Sequence, residues 1–223
     1  MILCIENVLA ADTLRTIVSS LETAEFVDGK TTAGWHATLV KHNTQLKGSD
    51  AVAQEVRTTV IKALQKNALF QMAVRPKTIR VPMFSRYEAG MSYGTHVDNA
   101  IMGDAPAMRS DVSLTLFLNP PDAYEGGELV IEDTQGMQPF KLAAGSAIVY
   151  PSTTLHRVEP VTEGVRLVAV TWVQSLVRDA GDREILFDLD TARQVLFETH
   201  GKTPEFDLIS KSHANLLRKW AEL

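Results

Sequence analysis

The spacing of apolar residues changes twice along this chain, and the changes divide it into three sections. In roughly residues 1–76, Leu14, Ile17, Val18 and Leu21 fall at i, i+3, i+4 and i+7, which is one face of a helix, with Asp12 as its expected N-cap. Val52, Val56, Val60 and Leu64 mark a second helix, with Ser49 or Asp50 as the cap. Between them, residues 27–46 hold Gly29, Gly34 and several threonines and read as strands and turns. No chemistry is visible in this section, and its helices are expected to buttress a sheet.

From about residue 77 to 177 the period falls to two. Candidate strands are 78–87, 93–97, 110–117, 128–132, 138–141, 147–150, 156–160 and 166–173, separated by Asn119–Pro120–Pro121, Gly126–Gly127, Gly136, Gly145 and Glu163–Gly164. Short strands at this spacing predict a double-sheet jelly roll. Residues 178–223 return to helical spacing. Leu186, Leu189, Val195 and Leu196 mark one helix stopped near Gly201, and Phe206, Ile209, His213, Leu216 and Trp220 mark another starting near Pro204. The fold class is therefore α+β: a jelly-roll core at 77–177, an N-terminal support region at 1–76 and a C-terminal helical extension at 178–223. That tail could pack on the barrel or pair with a second copy of the chain.

Composition narrows the function classes. The chain has 223 residues, 45% hydrophobic and 22% charged, with a formal net charge of −5. This argues against disorder and supplies a sizeable core. There is no basic stripe to favour nucleic acid, and no run approaches the length of a membrane span. A single cysteine, Cys4, excludes an intrachain disulfide. It lies in the apolar run Ile2–Leu3–Cys4–Ile5, expected to form an edge or core strand that buries an inert thiol. The run is too short for a signal peptide and Glu6 interrupts it, so a reducing, cytoplasmic location is the default expectation.

The chemistry rests on His96, Asp98, His156 and Arg166. Residues i and i+2 of a strand share a side, so His96 and Asp98 can share an ion while Val97 points away. Two imidazoles and one carboxylate can hold one face of a ferrous ion and leave the other face open. A jelly roll can bring His156 to them from a distant strand. His-x-Asp alone is a weak signal; the ordered set of four carries the reading. Arg166 opens a largely apolar strand on which Arg166, Val168, Val170 and Trp172 share a face, so its guanidinium can enter the pocket that Trp172 helps to wall. A buried guanidinium needs a carboxylate or several acceptors; the partner is either a structural Asp or Glu or a small dicarboxylate ligand. His36, His42, His200 and His213 have no ligand-like spacing; His213 falls on the apolar stripe of the last helix, as a packing or interface residue. The connection 99–109 has the length of a lid.

The motifs Arg86–Tyr87–Glu88–Ala89–Gly90, Tyr93–Gly94–Thr95–His96–Val97–Asp98, Gly126–Gly127–Glu128–Leu129, Tyr150–Pro151–Ser152 and His156–Arg157–Val158 resemble the prolyl-hydroxylase-like iron(II)/2-oxoglutarate dioxygenases. The nearest branch is the PKHD-type, PiuC-like hydroxylases linked to iron uptake. Phe26–Val27–Asp28–Gly29 and Asn215–Leu216–Leu217–Arg218–Lys219–Trp220 extend the resemblance over nearly the whole chain. It implies that His96, Asp98 and His156 ligate iron(II), that Arg166 binds the distal carboxylate of 2-oxoglutarate and that Tyr87 lies beside that co-substrate. It also implies oxygen-dependent hydroxylation giving succinate and carbon dioxide, with ascorbate keeping the iron ferrous. Some animal relatives have a tyrosine near the co-substrate where this chain has Thr115, Leu116 and Phe117, so a hydroxyl there must come from Thr115 or from elsewhere. The substrate stays open between a protein side chain and a small iron-related molecule. A non-catalytic iron and 2-oxoglutarate sensor on the same fold is the alternative. A zinc hydrolase with the same triad ranks last, because it gives Arg166 no role.

Overall fold

A computed structural model of the chain describes residues 1–32, 34–35, 37–48, 51–103 and 106–223. The first section runs β1 (Leu3–Ile5), α1 (Ala11–Glu22), β2 (Phe26–Asp28), β3 (Lys41–His42), β4 (Thr44–Leu46), α2 (Ala51–Lys66) and α3 (Ala68–Val74). The middle section carries β5 (Pro76–Ile79), β6 (Met83–Tyr87), β7 (Ser92–His96), β8 (Ile101–Met102), β9 (Met108–Arg109), β10 (Val112–Phe117) and β11 (Tyr124–Gly126). It continues with β12 (Leu129–Asp133), β13 (Gly136–Phe140), β14 (Ala147–Pro151), β15 (His156–Val158), β16 (Val161–Gly164) and β17 (Arg166–Ser175). The last section holds α4 (Ala180–His200) and α5 (Pro204–Trp220).

An eight-stranded sheet in the order β1-β14-β10-β17-β6-β4-β2, with β5 also on β17, faces a five-stranded sheet in the order β13-β12-β15-β7-β3. All of these pairings are antiparallel. Strand alternation makes two cores from the larger sheet. Leu114, Leu116, Val149, Leu167 and Ala169 turn outward, where Ile17, Leu21, Val60, Leu64 and Phe70 of the first three helices cover them. Phe117, Ile148, Tyr150 and Val168 turn inward against Leu129, Ile131 and Val158 of the smaller sheet. The N-terminal helices thus buttress the sheet as their apolar stripes predict.

Several local expectations need correction. Helix α1 is capped at Ala10 without a side-chain hydrogen bond; Asp12 sits inside the first turn, where it pairs with Arg15. The proposed caps Ser49 and Asp50 lie outside the described residues, as does His36. Helix α3 is absent from the apolar-spacing reading; Asn67 breaks it from α2 and accepts a hydrogen bond from the Phe70 amide, 2.9 Å. The strand expected over 78–87 is two strands, because Pro82 has no N–H to continue the ladder. Cys4 is exposed, not buried: Leu3 and Ile5 turn to the helix-covered face, and Cys4, opposite Ile148 on the other face, lies uncovered because β1 is the edge of its sheet. Val195 in α4 is also exposed, off the packed side of that helix.

The tail is clamped by buried charge. Asp190 of α4 pairs with Arg75 at 3.0 Å and Arg193 at 2.5 Å. The buried His213 of α5 accepts from Arg75 through Nε2, 2.9 Å, and burial pushes its pKa down, so it serves as a neutral acceptor. His213 is therefore a packing residue with a polar partner, as its place on the stripe predicts. His42 and His200 lie at the surface.

Candidate metal centre

Strands β7 and β15 are neighbours in the smaller sheet, with His96 directly opposite His156. Asp98 follows two residues after His96, on the same side, while the intervening Val97 is 41% exposed. The ligand atoms that His96, Asp98 and His156 can offer all lie within 4.8 Å of one another. His156 Nε2 is 3.8 Å from Asp98 Oδ2.

The main chain orients both rings. His96 Nδ1 donates to the Gly94 carbonyl at 2.9 Å, and His156 Nδ1 donates to the Thr154 carbonyl at 3.0 Å. A carbonyl can only accept, so each Nδ1 carries a proton and each Nε2 is the nitrogen left for a metal. The Tyr93 ring stacks on His96 with centroids 3.7 Å apart and planes 17° from parallel. Burial, reinforced by the neighbouring His156, pushes the His96 pKa down to about 4 and keeps the ring neutral. Asp98 Oδ2 accepts from Ser113 Oγ at 2.5 Å, and Ser113 is itself 2.8 Å from Ser152 Oγ.

These groups open on a cavity of about 500 Å³ between the two sheets. Arg166, Tyr87, Thr115, Tyr150 and Trp172 line it too. Arg166 is 1% exposed, with its guanidinium carbon 5.0 Å from the Tyr87 ring centroid and 5.6 Å from that of Phe117. Its Nε has no hydrogen-bond partner, and among the described residues no carboxylate lies within ion-pair distance. Tyr87 faces Arg166 across the β6–β17 ladder. Burial raises its phenol pKa against the pull of Arg166, so the hydroxyl stays a donor. Where relatives use a tyrosine, this cavity has Thr115 with the Tyr150 hydroxyl beside it. Phe117 offers only a ring face to the guanidinium.

Gly127 lets the loop close over Arg166. Its φ is +67°, and a Cβ there would meet Val161 Cγ2 at 2.9 Å, Arg166 Cδ at 3.1 Å and Tyr124 Cε2 at 3.2 Å. Gly127→Ala is expected to lower stability by about 1–3 kcal/mol from backbone strain and crowding; thermal unfolding measures it, and an unchanged melting temperature would remove this role.

Sequence reasoning passed over Lys41, Asn43, Gln45 and Ser113, and gave Tyr150 no role beyond its motif, yet all of these line the cavity. Lys41 is buried, and burial brings its pKa down to about 8 against the opposing pull of Asp28 and Asp98. The alternation Lys41-x-Asn43-x-Gln45 was the signal available.

Residues 82–174 match the model of the 2OG-Fe(II) oxygenase superfamily, and residues 180–222 match the PKHD-type hydroxylase C-terminal domain. A PKHD-type hydroxylase of Acaryochloris marina is 64% identical over 222 residues, covering 100% of both chains. One from Synechococcus elongatus is 55% identical over 223 residues, again covering 100% of both. Among solved structures, a Pseudomonas putida prolyl-4-hydroxylase aligns with TM-score 0.55 at 18% identity, over 78% of this chain and 92% of that one. HygX of Streptomyces hygroscopicus, with nickel, 2-oxoglutarate and hygromycin B bound, aligns with TM-score 0.54 at 13% identity, over 76% and 81%. These two share the fold. Full-length identity with the curated relatives, together with both domain matches, places this chain in the PKHD-type hydroxylase family of 2OG-Fe(II) oxygenases.

Proposed function

We propose that His96, Asp98 and His156 hold the ferrous ion and that Arg166 binds the distal carboxylate of 2-oxoglutarate, with Tyr87 beside it. One observation carries the reading: a buried guanidinium with no carboxylate partner among the described residues shares a cavity with the converged triad. Burying a lone charge costs several kcal/mol unless a partner arrives, and a dicarboxylate is a partner of the right sign and shape. Two imidazole nitrogens and one carboxylate oxygen suit a ferrous ion and leave the cavity side open for exchangeable ligands. When bound, the ion and 2-oxoglutarate supply the oxidising chemistry, by which dioxygen yields succinate, carbon dioxide and a hydroxylated substrate.

The chain's own groups hold this arrangement. The Gly94 and Thr154 carbonyls aim the rings, Ser113 steers Asp98, and Tyr87 and Phe117 wall the guanidinium. Hydrogen-bond partners of metal ligands contribute about 10–100-fold in metal affinity. Ser113→Ala is therefore expected to weaken iron(II) binding by about tenfold or more. A competition titration with a chromophoric chelator reads this, and equal affinities would reject the role.

The direct test is anaerobic addition of ferrous iron and 2-oxoglutarate to the intact protein. The visible charge-transfer band of the chelate is the expected result; a native chain without it would overturn the assignment.

The same reading extends to finer points. The hydroxylated molecule is a protein side chain or a small iron-related compound, in keeping with the branch's link to iron uptake, and ascorbate maintains the ferrous state in a cytoplasmic setting. Residues 77–177 act as the catalytic unit, 1–76 as its support and 178–223 as the extension. Ile101, Met102 and Gly103 line the cavity, which supports a lid role for the 99–109 connection, of which Asp104 and Ala105 lie outside the described residues. Val195, Phe197 and Leu208 are exposed on α4 and α5, which supports pairing of two copies through the tail.

A further inference from the structure

Strands β3 and β4 carry their polar side inward. Lys41, Asn43 and Gln45 are 4%, 3% and 4% exposed and line the cavity, whereas His42 is exposed and Thr44 half-buried. A sheet face turned to a core is ordinarily apolar, so a buried polar stripe marks a wall meant for a polar occupant.

The stripe is set in place by its neighbours. Lys41 Nζ donates to Thr32 Oγ1 at 3.0 Å, and Thr32 Oγ1 donates to Gln45 Oε1 at 2.6 Å. An ammonium has three protons; Thr32 takes one and the Tyr93 ring centroid lies 5.3 Å from Nζ, which leaves hydrogen-bonding capacity for a ligand. Among the described residues no carboxylate lies within ion-pair distance of Lys41. The amide of the buried Asn43 lies beside the Tyr87 hydroxyl and makes no other side-chain hydrogen bond among the described residues.

Charge balance points the same way. Among the described residues the lining holds Lys41, Arg80 and Arg166 against the single carboxylate of Asp98, in a chain whose net charge is −5. A ferrous ion and the 2-oxoglutarate dianion offset each other, and Asp98 offsets one cation. Two side-chain cations, Lys41 and Arg80, are left for whatever else enters. The mouth adds an apolar rim: Ile101 lines it and is exposed, and Leu39 is exposed beside the lining residue Ala37.

We propose that Lys41, with Asn43 beside it, binds a carboxylate of the molecule that is hydroxylated, so that the substrate is an organic acid with an apolar body. This rests on the assignment of Arg166 to 2-oxoglutarate, which leaves Lys41 without a role in holding the co-substrate.

The test uses an isosteric pair of probes, phenylacetate and phenylacetamide, with protein loaded with 2-oxoglutarate and redox-inert zinc. Saturation-transfer NMR titration follows each probe. Phenylacetate is expected to bind the native protein and Lys41→Arg, and to lose about tenfold or more in Lys41→Met, as the loss of a charge-assisted hydrogen bond predicts. Phenylacetamide should bind weakly to all three. Methionine matches the lysine stem, and replacing a buried charge by an apolar group of similar volume is tolerated, so the variant is expected to fold. Equal binding of acid and amide, no binding of the acid, or undiminished binding in Lys41→Met overturns the proposal. Calorimetry with 2-oxoglutarate separates the underlying assignment. Arg166→Ala should lose co-substrate affinity and Lys41→Met should retain it within about threefold; dependence on Lys41 instead reverses the assignment and overturns the proposal with it.

Discussion

Arg166→Met is expected to move two measurements in opposite directions. Affinity for 2-oxoglutarate should fall by about 100-fold or more, because truncating one partner of a buried, hydrogen-bonded charge pair costs about 2–5 kcal/mol. The ligand-free protein should melt at a higher temperature. In that state Arg166 is 1% exposed, its Nε is unpartnered and its compensation is the neutral Tyr124 hydroxyl and the faces of Tyr87 and Phe117. Removing a buried charge that has no counter-charge in favour of an unbranched apolar side chain stabilises by about 1 kcal/mol or more. A structural arginine would show the reverse, with stability lost and co-substrate affinity barely altered. Calorimetric titration and thermal unfolding of the same preparation decide it. A variant that melts lower and binds 2-oxoglutarate as well as the native chain would place Arg166 in the scaffold.

His156→Ala is the second large effect. The substitution leaves His96 and Asp98 as the only members of the triad, on one strand and the residues just after it. Loss of a carbonyl-oriented imidazole should weaken iron(II) by more than the 10–100-fold attributed to outer partners, so a reduction above about 100-fold is expected. The visible chelate band and substrate-free succinate formation should vanish together. Free imidazole at millimolar concentration should restore part of the band, because the alanine leaves a ring-sized gap beside the Tyr150 and His96 rings, now 5.1 Å and 4.3 Å from that of His156. A full-strength band in the variant without imidazole would remove His156 from the ligand set.

The parts of this architecture legible beforehand are those written in local periodicity. The inward face of β17, from Arg166 through Val168, Val170 and Trp172, follows from a period of two along an apolar run. So does the shared side of His96 and Asp98. The helical stripes around Leu14–Leu21 and His213 follow from a period of 3.6. What stayed illegible depends on pairing at a distance or on residues that break a pattern. Ser113 reaches Asp98 only because β10 crosses beneath it, fifteen positions along the chain. Pro82 splits one expected strand, and Asn67 splits one expected helix. The Lys41–Gln45 stripe reads in sequence as an ordinary strand with a solvated face, since periodicity reports alternation but not which side is inside. Cys4 failed for a related reason: its neighbours are apolar, yet its place on an edge strand leaves it uncovered.

Each imidazole of the triad leans on a main-chain oxygen two places earlier in the chain, Gly94 for His96 and Thr154 for His156. Tautomer choice at both nitrogens is thereby written into the polypeptide path and owes nothing to any acidic helper. Point changes around the two rings can alter the colour, size or charge of the chamber without turning the lone pairs aside. Inserting a single residue between either oxygen and its ring would do what no nearby side-chain replacement can.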